Sequence, residues 1–175
     1  MATRTQTRGD AHRKPRKARL CVWVKNEAGR RGVPLLRSFQ RWFEAIPELR
    51  RRRGMTEINV LVVDAKTGRR YNRQFRGRDY ATNVLSFPYE PMPGESSGLL
   101  GDLVVCAPVI AREAREQGKD PRDHYAHMAV HGALHLLGHD HEDDAAAERM
   151  EALERRILAS LGIGDPYRRR ADFAP

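Results

Sequence analysis

Histidines are concentrated in one short stretch of the chain. Six of the seven lie between His124 and His141. His131 and His135 are four residues apart, so on a helix their side chains project from one face, one turn above the other. Gly138 follows as a residue that can end the helix in a left-handed conformation, which lets the chain turn back and bring His141 to the same point. Three imidazoles with a fourth position left open form the ligand set of a catalytic zinc site.

The spacing of these histidines, with a glycine three residues after the second one, is that of the zinc helix of metzincin proteases. One residue differs. A metalloprotease carries its general-base glutamate directly after the first histidine, whereas this chain has Gly132. We predict one zinc ion per chain, held by His131, His135 and His141, with a zinc-bound water as the reactive group.

Other roles for the histidines remain open. Two histidines four residues apart on an apolar helix are often packed and hydrogen-bonded, although three at this spacing with a helix-ending glycine favour a metal. His139 is an alternative ligand. His127, one turn before His131 and on the same face, is expected to pack or to support a ligand from behind. His124 and His12 carry no functional prediction.

The charge of the chain points to a polyanionic partner. The formal net charge is +9 and the isoelectric point about 10.1, which favours nucleic acid first and an anionic membrane surface second. Arg50, Arg51, Arg52 and Arg53 are consecutive, and we predict a loop there. A solvated loop is the default, and repulsion among the four like charges makes a phosphate contact the alternative. A second basic run within ten residues comprises Arg69, Arg70, Arg73, Arg76 and Arg78.

The remaining composition fits a cytoplasmic protein of one domain. With 175 residues and 40% hydrophobic residues, the chain is long enough for a substantial core. Cys21 and Cys106 are too few and too far apart for a disulfide framework, so we expect buried thiols in a reducing compartment. No apolar run approaches the ~20 residues of a membrane span, and the basic N-terminus lacks the apolar segment of a secretory signal. We expect neither a membrane nor a small-molecule ligand as partner.

Residue patterns predict an α+β fold with a small four-stranded mixed sheet and helices packed on it. The predicted strands span residues 20–24, 58–63, 82–87 and 99–106. The predicted helices begin at Pro34, Pro108, Pro121 and Asp143, and the third is the central helix that carries the metal histidines. Residues 64–68 are predicted to form a turn. Gly101 and Asp102 are explained by a bulge or turn.

Several stretches resemble the YbeY family, the metal-dependent endoribonucleases that act in ribosomal RNA maturation. They are residues 76–87 (RGRDYATNVLSF), 100–106 (LGDLVVC) and 131–141 (HGALHLLGHDH). The pattern MEALE at 150–154 and the ending Leu161-Gly162 are similar too. The likeness covers roughly residues 20–165 and leaves basic tails at 1–18, expected to be disordered, and at 166–175.

The resemblance implies a function in ribosomal RNA processing and ribosome quality control, through cleavage of single-stranded RNA and with the small ribosomal subunit as a further partner. His131, His135 and His141 would bind the metal, and Arg76 would hold the phosphate and stabilise the transition state. Arg73, Arg78 and residues 50–53 would follow the RNA backbone. The chain departs from the family pattern at three positions, namely Phe75 and His139, each in place of a tyrosine, and Ala81 in place of a proline.

Two alternative functions remain. A metallopeptidase or other zinc hydrolase is disfavoured because no glutamate follows His131, and a peptide's leaving nitrogen must be protonated. A ribosome-assembly factor without catalytic activity would contain a structural zinc, whose closed site needs a fourth protein ligand. His139 is the candidate for that ligand.

Overall fold

A computed structural model of the chain describes residues 19–95, 97–140 and 143–168. The predicted N-terminal tail, most of the C-terminal tail and His141 lie outside these residues. The strands are β1 (Arg19–Asn26), β2 (Met55–Val63), β3 (Val84–Pro88) and β4 (Leu99–Cys106). The helices are α1 (Leu36–Glu44), α2 (Pro47–Arg51), α3 (Ala65–Arg76), α4 (Ala107–Glu116), α5 (Pro121–Leu136) and α6 (Asp144–Ser160).

The four strands form one mixed sheet in the order β1-β2-β4-β3. β1, β2 and β4 run parallel, whereas β3 pairs antiparallel with β4 and forms one edge. The continuous apolar runs of β2 and β4 suit strands that are covered on most of their length. The α+β prediction with a four-stranded mixed sheet is confirmed.

Helix α5 lies at the centre of the core. Eleven of its residues are buried, and it packs against β3, β4, α1, α4 and α6. The aromatic residues of α1 reach this core, since Phe39, Trp42 and Phe43 are at most 2% exposed. Gly138 ends the segment with φ 90°, as the sequence predicts. Within the described ranges, no helix is long and apolar enough to cross a membrane.

The predicted turn at residues 64–68 is wrong, because these residues begin helix α3. The Asp64 side chain caps this helix by accepting a hydrogen bond from the Thr67 amide at 2.7 Å. Gly77, in the left-handed conformation with φ 68°, ends it. The predicted loop of four arginines is also wrong in part, because Arg50 and Arg51 lie in the short helix α2.

Gly101 occupies a bulge where β4 passes under α5. The register between β2 and β4 shifts at this point, so that Leu100 is the extra residue. Gly101 has φ 150°, and a Cβ atom there would lie 2.3 Å from the Phe87 carbonyl oxygen and 2.8 Å from Leu136 Cδ2. Only glycine fits, since both the backbone conformation and the space exclude a side chain.

We predict that Gly101→Ala lowers the free energy of unfolding by about 2 kcal/mol or more, because it adds backbone strain to a clash in the core. Urea denaturation followed by circular dichroism measures the loss. Gly164→Ala is the matched control, since nothing lies within 4 Å of a Cβ at Gly164. Equal urea midpoints for Gly101→Ala and Gly164→Ala would contradict the conclusion that only glycine fits at position 101.

Candidate metal centre and cleft

The last two turns of α5 bring two imidazoles together. His131 Nε2 and His135 Nε2 are 3.2 Å apart, and the two rings meet edge to face with centroids 4.6 Å apart. Both side chains are partly exposed, whereas the opposite side of the helix is buried. The spacing of four residues therefore produces the predicted convergence on one face.

The distance between these nitrogens fits a metal ion. Two imidazole nitrogens bound to one tetrahedral zinc at ~2.0–2.1 Å lie roughly 3.3–3.4 Å apart. Within the described part of the chain, no group of three or more metal-binding side chains is found. His141, the predicted third ligand, lies outside that part.

Glu154 of α6 is the buried group that orients His131. Its side chain is fully buried, and its Oε1 accepts a hydrogen bond from His131 Nδ1 at 2.8 Å. His127 Nε2 donates to Glu154 Oε2 at 2.8 Å, and the Tyr167 hydroxyl donates to the same oxygen. With Nδ1 as the donor, a neutral His131 ring carries its lone pair on Nε2, directed at His135. A carboxylate behind a metal-binding histidine is the usual support for such a ligand.

The electrostatics of this network keep Glu154 charged. Burial alone would raise its pKa, but the hydrogen bonds from His127 and His131 outweigh burial and lower the pKa to about 2. Burial lowers the pKa of His127 despite the hydrogen bond with Glu154, which favours a neutral ring that donates through Nε2. His127 Nδ1 is then a buried lone pair that finds no hydrogen-bond partner among the described residues.

The segment after α6 supplies Tyr167, the third hydrogen-bond donor to Glu154. Burial and the hydrogen bond with Glu154 both raise the pKa of Tyr167 above its usual range, so its hydroxyl remains a donor. The guanidinium of Arg155 lies 4.7 Å from the Tyr167 ring centre and also contacts Asp165 at 3.3 Å. Lys119 donates to the carbonyl of Pro166. These contacts hold Tyr167 in place although its residue is 36% exposed.

His139 points to a different partner. Its Nε2 lies 3.8 Å from Glu48 Oε1 of α2, and its amide donates to the Leu134 carbonyl at 3.0 Å. This backbone bond forms part of the helix C-terminus at Gly138. The structure therefore directs the His139 side chain toward α2.

A cleft of about 830 Å³ opens in front of the two imidazoles. Its walls are the edge strand β3, the residues that follow α5, and the end of α3 with the segment after it. Arg76 is the last residue of α3, and its Nη2 donates to the Ser86 carbonyl of β3 in a long bond of 3.4 Å. Ser86 in turn donates its hydroxyl to the Gly132 carbonyl of α5 at 3.2 Å. Arg76 and the histidines thus share one cleft.

The other predicted RNA contacts are divided between two regions. Arg78 lines the cleft beside Arg76 and donates to the Tyr80 hydroxyl at 3.2 Å. Arg73 lies on the outer side of α3. The residues of the consecutive run, Arg50 to Arg53, are exposed on and after α2.

Sequence reasoning missed several residues that support the site. No functional role is predicted for Glu154 or Tyr167 from the sequence, although Glu154 is the last residue of the pattern MEALE at 150–154. A second, partly buried network was also missed, in which Glu113 accepts hydrogen bonds from His124 at 2.8 Å and from Asn83 at 3.1 Å. Burial would raise the pKa of Glu113, but these hydrogen bonds lower it. This network joins α4 and α5 to the start of β3.

Known proteins share both sequence and fold with this chain. The model of the family described as endoribonuclease YbeY matches residues 24–162. A relative of that name from Alkalilimnicola ehrlichii is 58% identical over 143 residues, which are 81% of this chain and 86% of the relative. One from Halorhodospira halophila is 60% identical over 141 residues, which are 79% of this chain and 90% of the relative. One from Stenotrophomonas maltophilia is 57% identical over 153 residues, which are 85% of this chain and 94% of the relative.

A solved structure adds a likeness of fold. The solution structure of a Thermotoga maritima protein matches with a TM-score of 0.51 and 25% sequence identity, and the match covers 86% of this chain and 99% of that one. The family model spans β2, β3 and β4, the paired histidines and the buried carboxylate that contacts His131. The chain belongs to the endoribonuclease YbeY family.

Proposed function

We propose that this protein is a zinc-dependent endoribonuclease that cuts single-stranded RNA, and that it acts in the processing of ribosomal RNA, with the small ribosomal subunit as a partner. The observation that carries the proposal is the pair His131–His135, whose Nε2 atoms are 3.2 Å apart behind a cleft that Arg76 also lines. The relatives named endoribonuclease YbeY support RNA as the substrate.

His131 and His135 fit zinc, and we propose His141 as the third protein ligand. Glu154 supports the assignment because its hydrogen bond to Nδ1 orients the His131 ring and makes Nε2 a better donor. When bound, zinc supplies a Lewis acid that lowers the pKa of a water molecule to ~7. Arg76 would bind the phosphate through a planar fork of donors and stabilise the additional negative charge of the transition state.

Gly132 supports RNA hydrolysis over peptide hydrolysis. A Cβ atom at this position would lie 2.9 Å from Leu103 Cδ2 and 3.2 Å from Ser86 Oγ. A glutamate there would meet the sheet, so the chain has no room for the general base that a metallopeptidase places after its first histidine.

His139 supports a catalytic over a structural zinc. A closed structural site needs four protein ligands. The His139 side chain, the candidate for the fourth, is directed at Glu48, with Nε2 at 3.8 Å from the carboxylate. The cleft in front of His131 and His135 leaves space for a substrate.

The proposal is tested by a cleavage assay with purified protein, with and without zinc, on single-stranded RNA, on fully paired RNA and on casein. We expect zinc-dependent cleavage of the single strand and little cleavage of the duplex or casein. Cleavage of casein would favour the peptidase. Zinc binding without cleavage of any substrate would favour the structural role.

We predict that His135→Ala loses most of the bound zinc, because one of three protein ligands is removed. It should also lower the melting temperature, since the site and the core share α5. Zinc per chain is measured by atomic emission spectrometry. The control is His139→Tyr, which should retain its zinc. Zinc retained by His135→Ala but lost by His139→Tyr would contradict the ligand assignment.

We predict that Glu154→Gln weakens zinc binding by about 10- to 100-fold, because an amide cannot accept hydrogen bonds from both histidines and from Tyr167 with two oxygens. Competition with a chelator measures the zinc Kd. Glu148→Gln, on the exposed side of the same helix, should bind zinc like the unmodified protein. Equal zinc affinities of the two variants would exclude Glu154 as a support for the metal.

We predict that Arg76→Ala cleaves RNA about 10²-fold more slowly at saturating RNA, the scale expected when one transition-state donor is removed. Zinc content and melting temperature should stay unchanged, because the side chain is exposed and its hydrogen bond to the Ser86 carbonyl is long, at 3.4 Å. Lysine should rescue only in part, since a point charge does not reproduce a bidentate fork. A defect that vanishes at saturating RNA would instead assign Arg76 to binding alone.

A further inference from the structure

The outer side of α3 carries a continuous ridge of positive charge. We propose that this ridge is a second RNA-binding surface, which holds the phosphates of the strand that leaves the cleft; the proposal rests on the nuclease function proposed above. We call it the α3 ridge, and its members are Lys66, Arg69, Arg70 and Arg73, with Arg76 at its end in the cleft.

The helical positions of these residues place them side by side. At 100° per residue, the five cations occupy one sector of roughly 120° of α3, with Arg76 at one edge and Arg70 at the other. Gly68 and Asn72 lie on the buried face. From Lys66 to Arg76 the helix rises about 15 Å, so the ridge extends well beyond the cleft.

The ridge is only partly neutralised by neighbouring acids. Asp64, the capping residue before α3, interacts electrostatically with Lys66 and Arg70, and Asp79 after α3 interacts with Arg69 and Arg73, so two carboxylates face five cations. Helix α3 contains no aspartate or glutamate between Ala65 and Arg76. Arg69 is paired with Asp79 through bonds of 2.9 and 2.6 Å. For the residues that the structure describes, no ion pair within 4.0 Å involves Lys66, Arg70 or Arg73.

The arrangement works against the stability of the helix. Lys66 and Arg70 are four residues apart, as are Arg69 and Arg73, and like charges at this spacing repel. Helix α6 differs, because its arginines alternate with acids and Arg155 pairs with Glu151 at 2.9 Å. A polyanion along α3 would replace this repulsion with attraction, and RNA is the polyanion that the adjoining cleft would bind.

One end of the ridge lies in the cleft. Asn72 and Arg76 line the cleft from α3. A shallow concavity of about 520 Å³ next to it is lined by the ridge residues, together with Gln74 and Asp79. Side chains that are exposed and spread along a helix suit a flexible phosphate backbone better than a single acidic group, because each guanidinium can meet a different phosphate.

The test compares the binding of single-stranded RNAs of roughly four and roughly sixteen nucleotides, by fluorescence anisotropy at several salt concentrations and before cleavage proceeds. The test variant is Lys66→Gln/Arg70→Gln. The matched control is Arg149→Gln/Arg156→Gln, which removes the same charge from exposed positions of α6. Melting temperatures verify that both variants fold.

We expect the α3 variant to bind the long RNA about tenfold more weakly near 0.1 M salt. The slope of log Kd against log salt should fall by about 1.4, since each lost contact to a single strand contributes about 0.7. Binding of the short RNA should not change, and the α6 control should bind both RNAs like the unmodified protein.

Three results would overturn the ridge as a binding surface: unchanged binding of the long RNA, an equal loss for both RNAs, or an equal loss in the α6 control. Unchanged binding would leave an acidic protein as the alternative partner. Zinc-dependent cleavage of the long RNA by the unmodified protein is measured alongside. If the unmodified protein does not cleave the RNA, the nuclease proposal is contradicted, but the comparison of affinities stays valid. If it does cleave the RNA, and the unmodified protein and the α3 variant bind the long RNA with equal affinity, only the ridge is contradicted.

Discussion

The buried carboxylate of Glu154 is the interaction on which the site depends. An isolated charge in a protein interior costs several kcal/mol unless donors surround it. Glu154 is fully buried and accepts hydrogen bonds from His127 and His131 of α5 and from Tyr167 after α6. These bonds fix α6 against α5 and also fix the His131 ring, so that its Nε2 faces His135. Stability and ligand geometry therefore rest on the same three donors.

Close packing between α5 and the sheet sets the position of the histidines relative to the cleft. Gly132 brings the helix within 3.2 Å of the Ser86 hydroxyl, which donates to the Gly132 carbonyl. Because His131 precedes this contact, its side chain emerges at the edge of β3 rather than under the sheet. The edge strand and the helix thus form the back of the cleft, and Arg76 reaches the same strand from α3.

The sequence predicts the strands and α5 well because their apolar patterns are strong, whereas α3 lacks a wide apolar stripe, and its first residues are predicted as a turn. Its signals are local, namely the capping residue Asp64 and the ending residue Gly77. Glu154 shows a different limit. Glu154 lies on the apolar face of α6, four residues after Met150 and four before Leu158, which are both buried, so the helical spacing predicts its burial. The spacing does not predict its partners, because only the packing of α6 on α5 places the carboxylate behind His131. Such contacts between distant segments leave no periodic signal.

The position of the negative charge explains how one site could orient a cationic metal and still bind an anionic strand. The hydrogen bond with Glu154 would make His131 Nε2 a stronger electron-pair donor to the proposed metal. The Glu154 carboxylate nevertheless has no exposed surface, and its charge is balanced by three hydrogen bonds. The cleft itself presents imidazoles and the guanidiniums of Arg76 and Arg78, with Asp140 as the acidic residue among those that line it. A carboxylate bound directly to the metal would place its charge next to the phosphate, where repulsion acts at short range. By lying behind the imidazole, Glu154 would support the proposed metal without opposing the approach of RNA.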